Sequence, residues 1–335
     1  MPDPRTNLIL GTRGSALALA QANEIRAQLR AKHPRLETEI KIIKTKGDSF
    51  QDLSLVAGGG KGLFTREIEQ ALLRNQIDVA IHSLKDLPTA LPGGLVLAVV
   101  PKRADPRDVL ILRSNSSINP YNCKDLSTDF GMLRELCQGA YIATSSLRRK
   151  SQLLAARSDL VIQEIRGNVE TRLKKLAESE TLSGLILAAA GLERLGAKIE
   201  NSTLVADFLE SPLPARKLNF DEMLSAVGQA ALGLETRADD GRTESYLEVL
   251  NHYSTAQAVK AERAFLAALG GGCSVPIAAF GEVRDGKLTL RGAVFAANGQ
   301  EKIAGNVTGN PDDAESVGAK LAEELKAKGA ERLLS

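Results

Sequence analysis

The sequence predicts an α/β protein of three domains: two built on mainly parallel, helix-covered sheets, and a third, small α/β domain with an antiparallel three-stranded sheet. Three observations carry this expectation. The N-terminal half alternates short apolar runs with stretches of helical periodicity. That alternation restarts near Pro106, and in each half a strand breaks at a hydroxyl-plus-arginine turn that opens a helix: Gly11-Thr12-Arg13-Gly14-Ser15, then Thr144-Ser145-Ser146-Leu147-Arg148-Arg149. From about Thr255 the pattern changes to one helix followed by three strands with hairpin signals. A length of 335 residues also exceeds one ordinary domain of roughly 100–150 residues.

Leu8-Ile9-Leu10 is the first strand, and the helix after it places Ala18, Ala22, Ile25 and Leu29 on one face. Ser15 is placed to cap that helix, and His33-Pro34 ends it. Leu36 to Ile43 alternates as a strand, a helix begins near Thr65 with Ile68 and Leu72 apolar, and strands follow at Ile77–Ile81 and Leu95–Val100. In the second half, strands are expected at Val109–Leu112, Ala140–Ala143, Leu160–Ile165 and Leu185–Ala189. The helix opened by Arg166-Gly167-Asn168 turns Val169, Leu173 and Leu176 inward. In the last unit a helix through Val259 and Leu266 ends in Gly270-Gly271-Gly272. Strands follow near Ile277–Val283, Leu288–Phe295 and Gln300–Val307, with turns at Asp285-Gly286 and Asn298-Gly299, and a final helix spans about Asp312 to Lys328.

Composition narrows the function classes. Three cysteines are too few, and too odd in number, for a disulfide framework, and they fit a reducing cytoplasm. The histidines (His33, His82, His252) are widely separated, so no His/Cys cluster points to a metal. The start MPDPRTN is unlike a signal peptide, and no apolar run approaches the ~18 residues of a membrane span. A net charge of +2 and 4% aromatic residues argue against a nucleic-acid partner.

Gly58-Gly59-Gly60-Lys61-Gly62 is not a Walker A loop, because Gly62 stands where Ser or Thr is needed; it reads first as a flexible Gly-rich loop and, with Lys61 on it, alternatively as a mobile lid over an anion. Arg13, Arg148, Arg149, Arg166 and Arg172 sit at or just beyond strand C-termini, near helix N-termini. That edge of an open sheet is where ligands bind, and guanidinium groups recognise carboxylate or phosphate. Five such arginines in two domains point to a polyanion between two sheets. His82-Ser83-Leu84-Lys85-Asp86-Leu87-Pro88 also follows a strand, so Asp86 is placed either to move protons and stabilise a cation or to form a surface ion pair. His82 reads as a hydrogen-bonded structural histidine. Cys123 and Cys137 read as incidental. Cys273, after three glycines, is open to three readings: nucleophile, covalent anchor, or small buried residue.

These segments, with Ala190-Gly191-Leu192-Glu193-Arg194-Leu195-Gly196 and Gly271-Gly272-Cys273-Ser274-Val275-Pro276, resemble the hydroxymethylbilane synthase (porphobilinogen deaminase) family across essentially the whole chain. The resemblance implies that the first two domains are like type 2 periplasmic binding proteins with the active cleft between them. The implied boundaries are 1–104 plus about 229–248, 105–228 and 249–335. It implies a dipyrromethane cofactor on Cys273 through a thioether, porphobilinogen as substrate, Asp86 as catalytic carboxylate, and a monomer in the cytoplasm serving porphyrin (haem) biosynthesis. By the same resemblance, Arg13, Ser15, Ser83, Lys85, Thr144, Ser146, Arg148, Arg149, Arg166, Gly167, Arg172 and Arg194 bind the acetate and propionate groups of cofactor and substrate. The sequence departs from the family at Ala57 (often Lys), Ala143 (commonly Gly), Ala230 (usually Gly) and in a longer Ser114–Gly139 stretch. The rival expectation is a non-catalytic, two-domain anion-binding protein of periplasmic-binding type.

Overall fold

A computed structural model describes residues 7–45, 65–113, 133, 136–272 and 275–334. Lys61, Ala57, Cys123 and Cys273 therefore lie outside the described residues.

The first sheet has the order β2-β1-β3-β12-β4, from strands β1 (Asn7–Thr12), β2 (Glu37–Ile42), β3 (Val79–Ser83), β4 (Leu95–Val99) and β12 (Leu232–Arg237). Helix α1 (Ala16–Lys32) buries Ala22, Ile25 and Leu29 against Leu8, Leu10 and Ile81 on one face. Helix α2 (Arg66–Leu73) covers the other face with Ile68 and Leu72 on Ile77 and Ala80. The crossovers through these helices make β1 parallel to β2 and β3. Strand β12 returns from far along the chain and runs antiparallel to both β3 and β4.

The second sheet has the order β7-β6-β8-β5-β11-β10-β9. Its strands are β5 (Asp108–Leu112), β6 (Tyr141–Ala143), β7 (Val161–Gln163), β8 (Gly184–Ala188), β9 (Lys198–Glu200), β10 (Thr203–Val205) and β11 (Leu213–Lys217). Helix α3 (Leu147–Ala156) leads from β6 towards β7, α4 (Val169–Glu178) from β7 towards β8, and α5 (Ala189–Arg194) follows β8. Parallel pairing is found at β7-β6-β8, where those crossovers lie, and β5 and β9–β11 add antiparallel pairs. Both sheets are therefore mixed, each with its parallel part at the strand ends that carry the arginine turns. Leu173 and Leu176 are fully buried in the core of this sheet, as the helical spacing predicts.

Helix α6 (Gly241–Leu247) leads into α7 (Tyr253–Ala268), and the third sheet follows as the antiparallel order β13-β14-β15: β13 (Ile277–Arg284), β14 (Lys287–Phe295) and β15 (Lys302–Gly309). Arg284 pairs with Lys287, so Asp285-Gly286 is a two-residue turn; both have positive φ, as a type I′ hairpin requires. Phe265 of α7 and Leu321 of α8 (Ala314–Ala327) are buried against this sheet. No described helix is long and apolar enough to cross a membrane.

Candidate active site

Strand β1 stops at Thr12, whose buried hydroxyl donates to the Ala18 carbonyl at 3.2 Å, and Ser15 Oγ accepts from the Ala18 amide at 3.3 Å. These bonds shape the turn that presents Arg13. Strand β3 ends at Ser83, and residues Leu84–Asp86 form a single 3-10 turn. That turn is hung on β12: Ser83 lies opposite Leu232, and the Leu84 amide donates to Ala231 O at 3.0 Å. Arg13, Ser15, Gln21, Ser83 and Asp86 line one cavity of about 80 Å³. Ser83 Oγ and the Gln21 amide bond at 2.7 Å, a contact the sequence patterns did not signal.

The second sheet contributes a buried charge cluster at its own strand ends. Ser146 caps α3, with Oγ accepting from the Arg149 amide, and Thr144 Oγ1 accepts from the Ser146 amide at 3.1 Å. The first turn of α3 therefore directs Arg148 and Arg149 inward. Both meet one carboxylate: Arg148 Nη2 lies 2.8 Å from Asp108 Oδ2, and Arg149 Nη2 lies 2.8 Å from Asp108 Oδ1. Arg148 also donates to Leu224 O at 2.6 Å and Arg149 to Ile186 O at 2.9 Å. Burial pushes the Asp108 carboxyl up, but the charges and hydrogen bonds of the two arginines outweigh it and bring it down to about 2. Asp108, at the first position of an apolar strand, gave no sign in the sequence of being the partner of both arginines.

The charges of the two clusters meet at Lys85. Burial pushes the Lys85 ammonium down, Asp86 acts against that, and Arg149 and Arg148 lower it further. Burial lowers the pKa of Arg172 too, helped by the charge of Arg149. Lys85, Arg148, Arg149 and Arg172 thus outnumber Asp86 and Asp108, with Arg148, Arg149 and Asp108 buried, Lys85 and Arg172 half-buried and Asp86 exposed. Such an excess suits a ligand that brings several carboxylates.

The remaining candidates are more dispersed. Arg166 is exposed and reaches Glu164 at 3.4 Å. Gly167 has φ +119°, and a Cβ there would lie 2.8 Å from the Thr171 methyl, so glycine is required where the chain turns into α4. Arg172 Nε donates to Gly167 O at 2.8 Å. Arg194, at the end of α5, bonds across to Glu24 of α1 at 3.0 Å and to Ala230 O at 3.1 Å, so it ties the second sheet's helix to the first. His82 is buried and bonded to Glu235, in keeping with a structural histidine.

Residues 8–245 match the family described as "Porphobilinogen deaminase, dipyromethane cofactor binding domain", and residues 256–327 match "Porphobilinogen deaminase, C-terminal domain". The chain belongs to the porphobilinogen deaminase family. It is 46% identical to the porphobilinogen deaminase of Trichlorobacter lovleyi over 98% of this chain and 95% of that one. Identity to the porphobilinogen deaminase of Geotalea daltonii is 45%, covering 98% and 94%, and to that of Syntrophomonas wolfei 44%, covering 98% of each chain. A similar solved structure is the periplasmic aliphatic sulphonate binding protein from Escherichia coli, with TM-score 0.39 and 13% identity over 79% of this chain and 71% of that one. As a porphobilinogen deaminase, the chain carries the family's cofactor-binding domain across both cleft-bearing sheets.

Proposed function

We infer that the chain is a hydroxymethylbilane synthase. It condenses four porphobilinogen units head to tail, each with loss of ammonia, and releases the linear tetrapyrrole hydroxymethylbilane by hydrolysis, water supplying its hydroxyl group, for haem biosynthesis. The observation that carries this reading is the Asp86 carboxylate facing a cation-rich region in a chain that matches the family almost end to end.

The described residues fit a dipyrromethane cofactor, because their excess of desolvated guanidinium and ammonium groups suits its acetate and propionate side chains. When bound, the cofactor supplies the free pyrrole carbon from which the chain is built. Cys273 anchors it through a thioether. Arg13, Ser15, Ser83, Lys85, Thr144, Ser146, Arg148, Arg149, Arg166, Gly167, Arg172 and Arg194 hold carboxylates of cofactor and substrate, and Lys61 does so from the lid loop.

Asp86 works at the incoming porphobilinogen. As the bond between the aminomethyl carbon and nitrogen breaks, nitrogen leaves as ammonia and positive charge spreads over the pyrrole; the carboxylate stabilises that cation. After the carbon–carbon bond forms, Asp86 accepts the proton lost from the attacked ring carbon.

We assign residues 1–104 plus about 229–248 to domain 1, 105–228 to domain 2 and 249–335 to domain 3. The return of β12 into the first sheet supports the split domain 1. We place the enzyme in the cytoplasm as a monomer with no nucleic-acid or membrane partner. Turnover tests the reading: four porphobilinogen molecules consumed and four ammonia released per hydroxymethylbilane. Binding of porphobilinogen without consumption would instead favour the anion-binding protein.

A further inference from the structure

Beside the cavity lies a second group of titratable side chains that the reaction above does not use. His82 of β3, Glu235 of β12 and Glu69 of α2 are all buried. His82 Nε2 lies 2.8 Å from Glu235 Oε2, and because a carboxylate only accepts, that nitrogen carries the hydrogen. Glu235 Oε1 and Glu69 Oε1 are buried with no hydrogen-bond partner among the described residues.

Two ionised carboxylates there would be poorly compensated. Burial pushes the Glu69 carboxyl up, Thr65 and His82 act against that, and Glu235 and Glu67 add to it. Among the described residues, the elements packed on β3 also bring Glu67 from α2, Arg13 from the turn after β1, Arg237 from β12 with its partners Asp78 and Asp240, and the neutral Gln21 from α1. The turn after β3 adds Lys85 and Asp86.

The trio is coupled to the reacting end of β3. His82 and Asp86 line the same cavity. Opposite His82, β12 has Gly233, where a Cβ would meet the side chains of Leu84 at 2.8 Å and Leu97 at 2.9 Å, so the glycine leaves room for the Leu84 side chain of the turn. The ladder with β12 and the Leu84 amide hold this end of β3 by backbone bonds, and the His82–Glu235 bond adds a side-chain attachment from the position two residues beyond Gly233.

We propose that Glu235 and His82 are positioning residues for the condensation. The buried pair fixes the end of β3, and with it the Ser83–Asp86 turn, in the placement that Asp86 requires. The inference rests on the hydroxymethylbilane synthase reading.

The test is steady-state turnover of porphobilinogen by the holoenzyme and by Glu235→Gln, with cofactor content measured in both. A misplaced catalytic group lowers rate more than binding, so Glu235→Gln is expected to lose about 10-fold or more in kcat with KM changed by less than about threefold. Equal kcat in the two proteins overturns the positioning role and leaves the activity standing. A wild-type chain that forms no hydroxymethylbilane overturns the activity itself. Should Glu235→Gln not fold, wild-type NMR decides. A slowly exchanging His82 Nε2–H at neutral pH supports the pair, and its absence overturns it.

Discussion

Arg103 Nη1 lies 2.6 Å from Glu262 Oε1, and this buried pair joins the segment between the first two sheets to helix α7 of the third unit. Glu262 also accepts from the amides of Gly228 at 2.6 Å and Gly281 at 2.8 Å, while Arg103 Nε donates to Gln229 O at 2.6 Å. One carboxylate thus holds the crossover into β12, the start of the third sheet and the connection between the cleft sheets. Glu262→Ala removes it and leaves a buried guanidinium unpaired, which costs about 3–5 kcal/mol. Thermal unfolding should show a melting temperature lower by several degrees; an unchanged value would contradict the hub.

Asp108 makes stability depend on acid. Its carboxyl titrates at about 2 in the folded chain against 3.8 ordinarily, so the folded state holds that proton less readily than the unfolded state. The contribution is complete above about pH 4 and is lost as pH falls through about 2, amounting to roughly 2 kcal/mol. In Asp108→Asn, urea unfolding at neutral pH should show a large loss, with less further loss on acidification than in wild type. Parallel acid profiles for the two proteins would refute this.

Ala230 has a φ of +70°, one that a side chain resists. The chain turns there between Gly228, also at positive φ, and β12, while Ala230 O accepts from Arg194. Ala230→Gly is expected to stabilise the protein by about 1 kcal/mol. A lower melting temperature in Ala230→Gly would show that the alanine conformation carries no strain.

The βαβ pattern was readable because helical and strand periods switch cleanly along residues 8–189, and every arginine turn falls where the sequence places it. Strands β9 to β11 were not expected: Lys198–Glu200 and Thr203–Val205 are three residues each, too short to show a period. The site divides in the same way. Arg148 and Arg149 were found from their position at a strand end, but their common partner Asp108 lies 40 residues away. Glu235 and Glu262 find partners more than 150 residues distant, the first in β12, which was not expected as a strand, and the second inside a run that reads as ordinary helix. Local pattern reports which side chain is present; pairing at that separation is decided only when the sheets assemble.

Asp86→Asn keeps the shape of the turn and removes the negative charge. Because Asp86 is exposed in the cavity and has no side-chain hydrogen bond among the described residues, folding and cofactor content should be retained. Turnover of porphobilinogen should fall by about a hundredfold or more. Near-normal turnover would remove Asp86 from the chemistry.

The covalent cofactor is the claim on which the function turns, and intact mass tests it most directly. Protein made with porphobilinogen available should exceed the bare chain by two pyrrole units and colour with Ehrlich's reagent, while Cys273→Ser should show the bare mass and no colour. A wild-type mass equal to the bare chain, without colour, would contradict the account.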